Sequence, residues 1–103
     1  MLESTLQRKI QDYLKKKLPG SYVWKNHGNQ YSVIGLPDLM CVYKGKIVCI
    51  EVKVSGNVPT KLQEVAIRKL TDAGAICCIA YSIEDVEKML KTNKLLGGNE
   101  YEN

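Results

Sequence analysis

The stretch Ile47-Val48-Cys49-Ile50-Glu51-Val52-Lys53-Val54 decides how this chain is read. An apolar run of this kind predicts a strand buried on both faces, in a sheet that carries helices. Charged residues rarely enter such a strand without a purpose. Alternation puts Glu51 and Lys53 together on one face, near the C-terminal end of the strand. Just upstream, Leu39 to Tyr43 predicts a second strand, and Lys44-Gly45 a two-residue turn, which Gly at the second position favours. In that register Tyr43 faces Lys46, and counting outward two by two sets Asp38 opposite Glu51 on the same face. Opposed side chains there have Cβ atoms about 4.5–5.5 Å apart. Two carboxylates that close repel each other unless a proton or a cation sits between them. With only oxygen ligands on offer, the cation that suits them is Mg²⁺ or Mn²⁺. A three-residue loop would shift the pairing by one and undo the opposition. The plainer reading is an Asp at a strand start and a Glu–Lys pair at a strand edge, which is worth little. Against it, Gly35-Leu36-Pro37 forms a turn that fixes the approach of Asp38, and unpaired buried charge is costly.

Outward from this hairpin, the periodicity predicts helices and strands in alternation. Leu2, Leu6, Ile10, Tyr13 and Leu14 recur at helical spacing, so residues 3–17 form an amphipathic helix. Ser4 and Gln7 suit a capping box at its start, and Pro19-Gly20 ends it. Tyr22-Val23-Trp24 reads as a short strand, followed by a polar loop over 26–30. The strand that holds Glu51 runs over 46–54 and is broken at Ser55-Gly56-Asn57. Thr60 to Ala73 is a helix whose stripe Leu62, Ala66, Leu70 and Ala73 is apolar, with Gly74 as its C-terminal cap. Ala75 to Tyr81 is a buried strand. Ser82 and the acids Glu84 and Asp85 open a last helix, as the helix dipole favours. Residues 97–103 read as a polar, mobile tail. The order α-β-β-β-α-β-α makes an α/β fold: one domain over 1–96, a mixed sheet flanked by helices.

Composition limits the partners. The 103 residues are 45% hydrophobic and 25% charged, which excludes a disordered chain, a collagen-like fibre and a disulfide knot. No apolar run reaches the roughly 18 residues of a membrane span, and Met1 to Thr5 do not open a secretion signal. A cytoplasmic location follows as the expectation, in the host cell if the chain is phage-encoded. The net charge is +4 at pH 7 and it is uneven. Residues 1–70 hold twelve basic and five acidic side chains, while residues 71–103 hold three basic and six acidic. A polyanion is the natural partner of the first part, nucleic acid above all, although a solvated lysine-rich surface has the same composition. Cys41, Cys49, Cys77 and Cys78 form no C-x-x-C pair, which argues against zinc and for buried free thiols.

Gly35-Leu36-Pro37-Asp38, then Glu51-Val52-Lys53, then Gln63 in the following helix, resemble the PD-(D/E)xK nuclease superfamily. Within it the pattern is similar to the virus-type replication-repair nuclease (VRR-NUC) domain in its small stand-alone phage form. A lone E-x-K is weak, but the ordered set at these spacings is specific and covers nearly the whole chain. The resemblance implies a restriction-endonuclease-like core and metal-dependent cleavage of DNA phosphodiesters, in structured or branched DNA such as a flap, splayed arm or four-way junction. It implies Asp38, Glu51 and the Val52 carbonyl as metal ligands, joined by Glu3 from the first helix. Lys53 would orient the attacking water and steady phosphate charge, and Gln63 would support the site. Gln63 also completes a capping box with Thr60, which is the plainer reading of it. Glu3 points inward if the first helix includes it and falls outside if Ser4 is the cap. Cutting two strands at once needs two sites, so a homodimer is expected.

Other residues suit DNA less distinctively. Arg8, Lys9, Lys15, Lys16, Lys17, Lys25 and Lys61 are candidates for phosphate contacts. Trp24 and Tyr22 could stack on bases, with core packing the more frequent use of strand aromatics. His27 and Tyr31 flank the loop that leads to Asp38. No membrane and no small-molecule cofactor are implied. The rival from another class is a non-catalytic DNA-binding module that kept the fold. A redox role for Cys77-Cys78 has no activating cation nearby in sequence.

Overall fold

The computed structural model describes residues 1–27 and 35–96. Tyr31 and the expected tail over 97–103 lie outside the described residues. Seven elements follow in the order α1 (Glu3–Lys17), β1 (Tyr22–Lys25), β2 (Leu39–Tyr43), β3 (Lys46–Val52), α2 (Lys61–Asp72), β4 (Ile76–Ala80) and α3 (Ile83–Thr92). The four strands make one mixed sheet in the order β1-β2-β3-β4. β1, β2 and β3 are antiparallel neighbours, and β4 runs parallel to β3 after the α2 crossover. This is the α-β-β-β-α-β-α arrangement expected of a restriction-endonuclease-like core.

The β2–β3 turn is the two-residue one. Lys44 and Gly45 both have positive φ, 48° and 79°, as a type I′ hairpin turn requires. Tyr43 pairs with Lys46 and Leu39 with Ile50, so one further step along the ladder faces Asp38 toward Glu51.

The two faces of the sheet are covered unequally. Val48, Ile50 and Val52 of β3 pack with Leu6, Ile10 and Leu14 of α1 and with Val86 and Leu90 of α3 in one buried cluster. On the opposite face, Cys77 reaches the Ile67 carbonyl of α2, while its neighbour Cys78 reaches Asp85 of α3. Cys49 pairs with Cys77, and Glu51 with Ile79. Glu51 and Lys53 therefore face the α2 side.

Several elements depart from expectation. α1 spans Glu3–Lys17 as expected, but its N-cap is Leu2, without a side-chain hydrogen bond, and not Ser4. Glu3 is thus the first helical residue, and Gln7 turns inward, 6% exposed, instead of reaching back to a cap. β3 stops at Val52, two residues early, although the Lys53 N–H still bonds the Ala80 carbonyl at 3.0 Å. The apolar stripe of α2 is not buried. Leu62 is 56% exposed and no residue of α2 is buried, because the helix rests chiefly on β4 at the sheet edge. For the same reason β4 is half-buried, not buried as expected, and Cys77 and Cys78 are only partly covered. Tyr22 is exposed on edge strand β1 and does not pack in the core. The caps Thr60 and Ser82 form as expected. No helix among the described residues is long and apolar enough to cross a membrane.

Candidate active site

Asp38 and Glu51 meet at one end of the sheet, where β2 begins and β3 ends. Asp38 leaves the turn Gly35-Leu36-Pro37, and two contacts decide where that turn lies. Gly35 has φ +88°, and a Cβ there would stand 2.6 Å from the Leu62 carbonyl oxygen. Only glycine allows both the left-handed backbone and so close an approach of α2. The turn is thereby seated against the start of α2, beside Gln63. From the other side the Val52 N–H donates to Asp38 Oδ2 at 2.8 Å. That bond fixes the carboxylate against β3 and leaves Oδ1 for another partner.

Glu51 is 1% exposed, and neither of its carboxylate oxygens accepts a well-formed hydrogen bond among the described residues. Its neighbour is the Lys53 ammonium, 3.2 Å from Oε2, on a side chain itself only 12% exposed. Burial, and then the charge of Asp38, push the Glu51 carboxyl up to about 6 against the pull of Lys53. A buried carboxylate is costly, and the pull of Lys53 and of the Asp38 backbone does not offset both the burial and the second acid. The pair is short of positive charge, which a divalent cation would supply. All-oxygen donors suit Mg²⁺ or Mn²⁺, so Asp38 and Glu51 fit such an ion on their own chemistry.

The other expected site residues divide by position. Gln63 is half-buried at the start of α2 and closes the capping box: its Oε1 accepts from the Thr60 N–H at 2.8 Å, and its own N–H donates to Thr60 Oγ1 at 3.2 Å. Glu3 is half-buried in the first turn of α1. That turn lies at the site's end of the sheet, since Leu6 and Lys9 line a cavity with Val54 and Ser55. No cluster of three or more His, Cys, Asp or Glu forms among the described residues, so Glu3 does not join Asp38 and Glu51 as a third acid. Lys61 is exposed at the start of α2, beside the turn that leads to Asp38, whereas Lys25 ends β1 opposite Leu39 and so lies on the other face of the sheet from Glu51. Lys15, Lys16 and Lys17 occupy the last turn of α1, about 18 Å or more along the helix from Glu3 at 1.5 Å per residue.

Asn26, which reads in the sequence as the first residue of a polar loop, is a residue that the motif pattern does not single out. Its backbone N–H donates to the Asp38 carbonyl at 2.8 Å and its side chain donates to the Pro37 carbonyl at 2.8 Å. The Trp24 indole N–H donates to Asn26 Oδ1 at 3.1 Å. The signal was available in register: extending the β1–β2 ladder by one step sets position 26 against Asp38.

The four-stranded mixed sheet flanked by helices is consistent with a restriction-endonuclease-like fold. Two solved structures share the fold over nearly their whole length. A VRR_NUC domain superposes with a TM-score of 0.71 at 24% identity, covering 86% of this chain and 94% of the other. A VRR_NUC domain protein gives 0.72 at 20% identity, covering 94% and 91%. This chain has the VRR-NUC fold. No family model matches the sequence, and no curated protein matches it.

Proposed function

We propose that this protein is a Mg²⁺- or Mn²⁺-dependent endonuclease that hydrolyses phosphodiester bonds in DNA, with structured or branched DNA as its substrate. The observation that carries the reading is the buried Glu51 carboxylate, opposed by the charge of Asp38 and only partly compensated by the Lys53 ammonium 3.2 Å away. Asp38, Glu51 and the Val52 carbonyl would hold the ion. The ion would supply Lewis-acid polarisation of a phosphate oxygen and acidification of a water. The protein's own groups do the rest. Asp38 is held by the Val52 N–H, so its free oxygen is presented in a fixed direction. Lys53 carries a positive charge in a poorly hydrated position, where it orients the attacking water and stabilises charge on the phosphate. Gln63, locked in the capping box at the start of α2, lies beside the turn that leads to Asp38.

Lys61, at the start of α2, suits the phosphate backbone beside the site; Lys25 and the Lys15, Lys16 and Lys17 cluster extend that surface only for a substrate long enough to reach beyond this face. These are point charges without the forked geometry that reads guanine, which favours recognition by shape. Paired cuts need two sites. Val58, Leu62 and Val65 are exposed on the α2 side, next to the free edge of β4; a second copy of this chain is the occupant proposed for that surface. The test is cleavage of flap, splayed, four-way and linear DNA with Mg²⁺ or Mn²⁺ beside an EDTA control. Metal-dependent cutting that favours branched forms is expected. DNA binding without cleavage under every condition would leave a non-catalytic binding module.

A further inference from the structure

We propose that Asn26 is a positioning residue for the metal site, holding the Asp38 backbone so that its carboxylate meets Glu51, with Trp24 holding Asn26 in turn. The proposal rests on the metal-site reading above. Asp38 stands just before β2, at the exit of a turn that cannot secure itself. Pro37 has no N–H to donate, and the Asp38 side chain is drawn toward a buried acid whose charge repels it. Asn26 answers both problems. Its two bonds take the carbonyls on either side of the Asp38 Cα, those of Pro37 and Asp38, each at 2.8 Å. With both carbonyls held, the backbone dihedrals of Asp38 are fixed, and so is the direction of its Cα–Cβ bond. The Val52 N–H then fixes the carboxylate itself.

The asparagine is specific to this task. Its amide must donate to Pro37 while it accepts from the Trp24 indole N–H, 3.1 Å away. Aspartate can do the second but not the first, and it would set an oxygen against the Pro37 carbonyl. Trp24 thus acts through its N–H, a use distinct from base stacking or core packing. Groups that orient metal ligands without touching the ion typically change metal affinity by about 10–100-fold when removed.

The test measures Mn²⁺ binding by calorimetry on the DNA-free protein, with thermal unfolding in EDTA as the control for folding. Asn26→Asp and Asn26→Ala should each bind Mn²⁺ at least about tenfold more weakly than wild type while still unfolding cooperatively. Affinity within twofold of wild type in folded Asn26→Asp would overturn the proposal, even if its unfolding temperature falls, since that is what a merely structural role predicts. Should both variants fail to fold, Trp24→Phe keeps an aromatic side chain while removing the indole N–H together with its five-membered ring, with the same unfolding control. Weaker Mn²⁺ binding by that variant supports the proposal, and unchanged binding overturns it. A wild type that binds no Mn²⁺ would instead refute the metal-site reading beneath it.

Discussion

The two faces of the sheet do opposite things with burial. On the α1/α3 face, Ile10, Leu14, Ile50, Val52, Val86 and Leu90 are wholly buried among apolar neighbours. On the α2 face a glutamate is buried as completely as the core residues, and the helix above it buries nothing fully. One face supplies folding free energy through apolar burial. The other uses part of it to hold two acids together. Stability and chemistry are thus separable by mutation in this small protein, and each prediction below tests that separation.

The largest effect belongs to the α2 face and to activity alone. Glu51→Gln should abolish DNA cleavage while DNA binding survives, because the charge is lost and the shape kept. Gel-based cleavage and binding assays on the same preparation check both. Lys53→Ala should lower turnover by about 10² or more, as loss of a charge-stabilising group does. Cleavage by Glu51→Gln near the wild-type rate would erase the chemical half of the contrast.

On the α1/α3 face the same measurements should reverse. Leu14→Ala should cost about 2–5 kcal/mol, the range for a fully buried leucine, in urea unfolding of the metal-free protein. Leu62→Ala, at a site 56% exposed, should stay within about 0.5 kcal/mol of wild type. Equal costs would mean that α2 is covered in solution, and a drop in molar mass for Leu62→Ala would identify the cover as a second copy.

The buried acid also predicts a pH dependence of opposite sign to the usual one. In the metal-free protein the Glu51 carboxyl rises from 4.5 to about 6, so the folded state holds this proton more tightly than the unfolded chain does. Its contribution is fully present below about pH 4.5 and is lost as pH rises through about 6, a change of about 2 kcal/mol. Other carboxylates titrate in the same range, so the readout is the difference between wild type and Glu51→Gln. The Gln variant should gain on wild type across this window and remain the more stable at pH 7. A difference independent of pH would show that Glu51 is not strained by its surroundings.

The hairpin was legible because its causes are local. A Lys-Gly turn with both residues at positive φ sets the pairing, and pairing alone carries Asp38 to Glu51 across thirteen residues of sequence. Caps at Thr60 and Ser82 are local for the same reason: a side-chain oxygen meets an N–H three residues on. Periodicity was less dependable, since it shows which side of a helix is apolar but not whether anything lies there. The stripe on α2 is present in sequence, yet its helix sits over an edge strand with too little sheet beneath it.

By itself, then, the sequence determined the order of elements, the register of the central hairpin and the pairing of two acids with a lysine. All of these follow from turn geometry, capping and the two-residue period of a strand. Only the tertiary structure decided which face is dry, how far the burial of Glu51 outweighs the nearby Lys53, and that Asn26 and Gly35 hold the turn before Asp38. Those outcomes depend on what approaches from elsewhere in the chain: the Leu62 carbonyl against Gly35, the Asn26 amide against Pro37, and the Val52 N–H against Asp38. No local pattern encodes such distances, because each is set by the packing of segments that are separated in sequence.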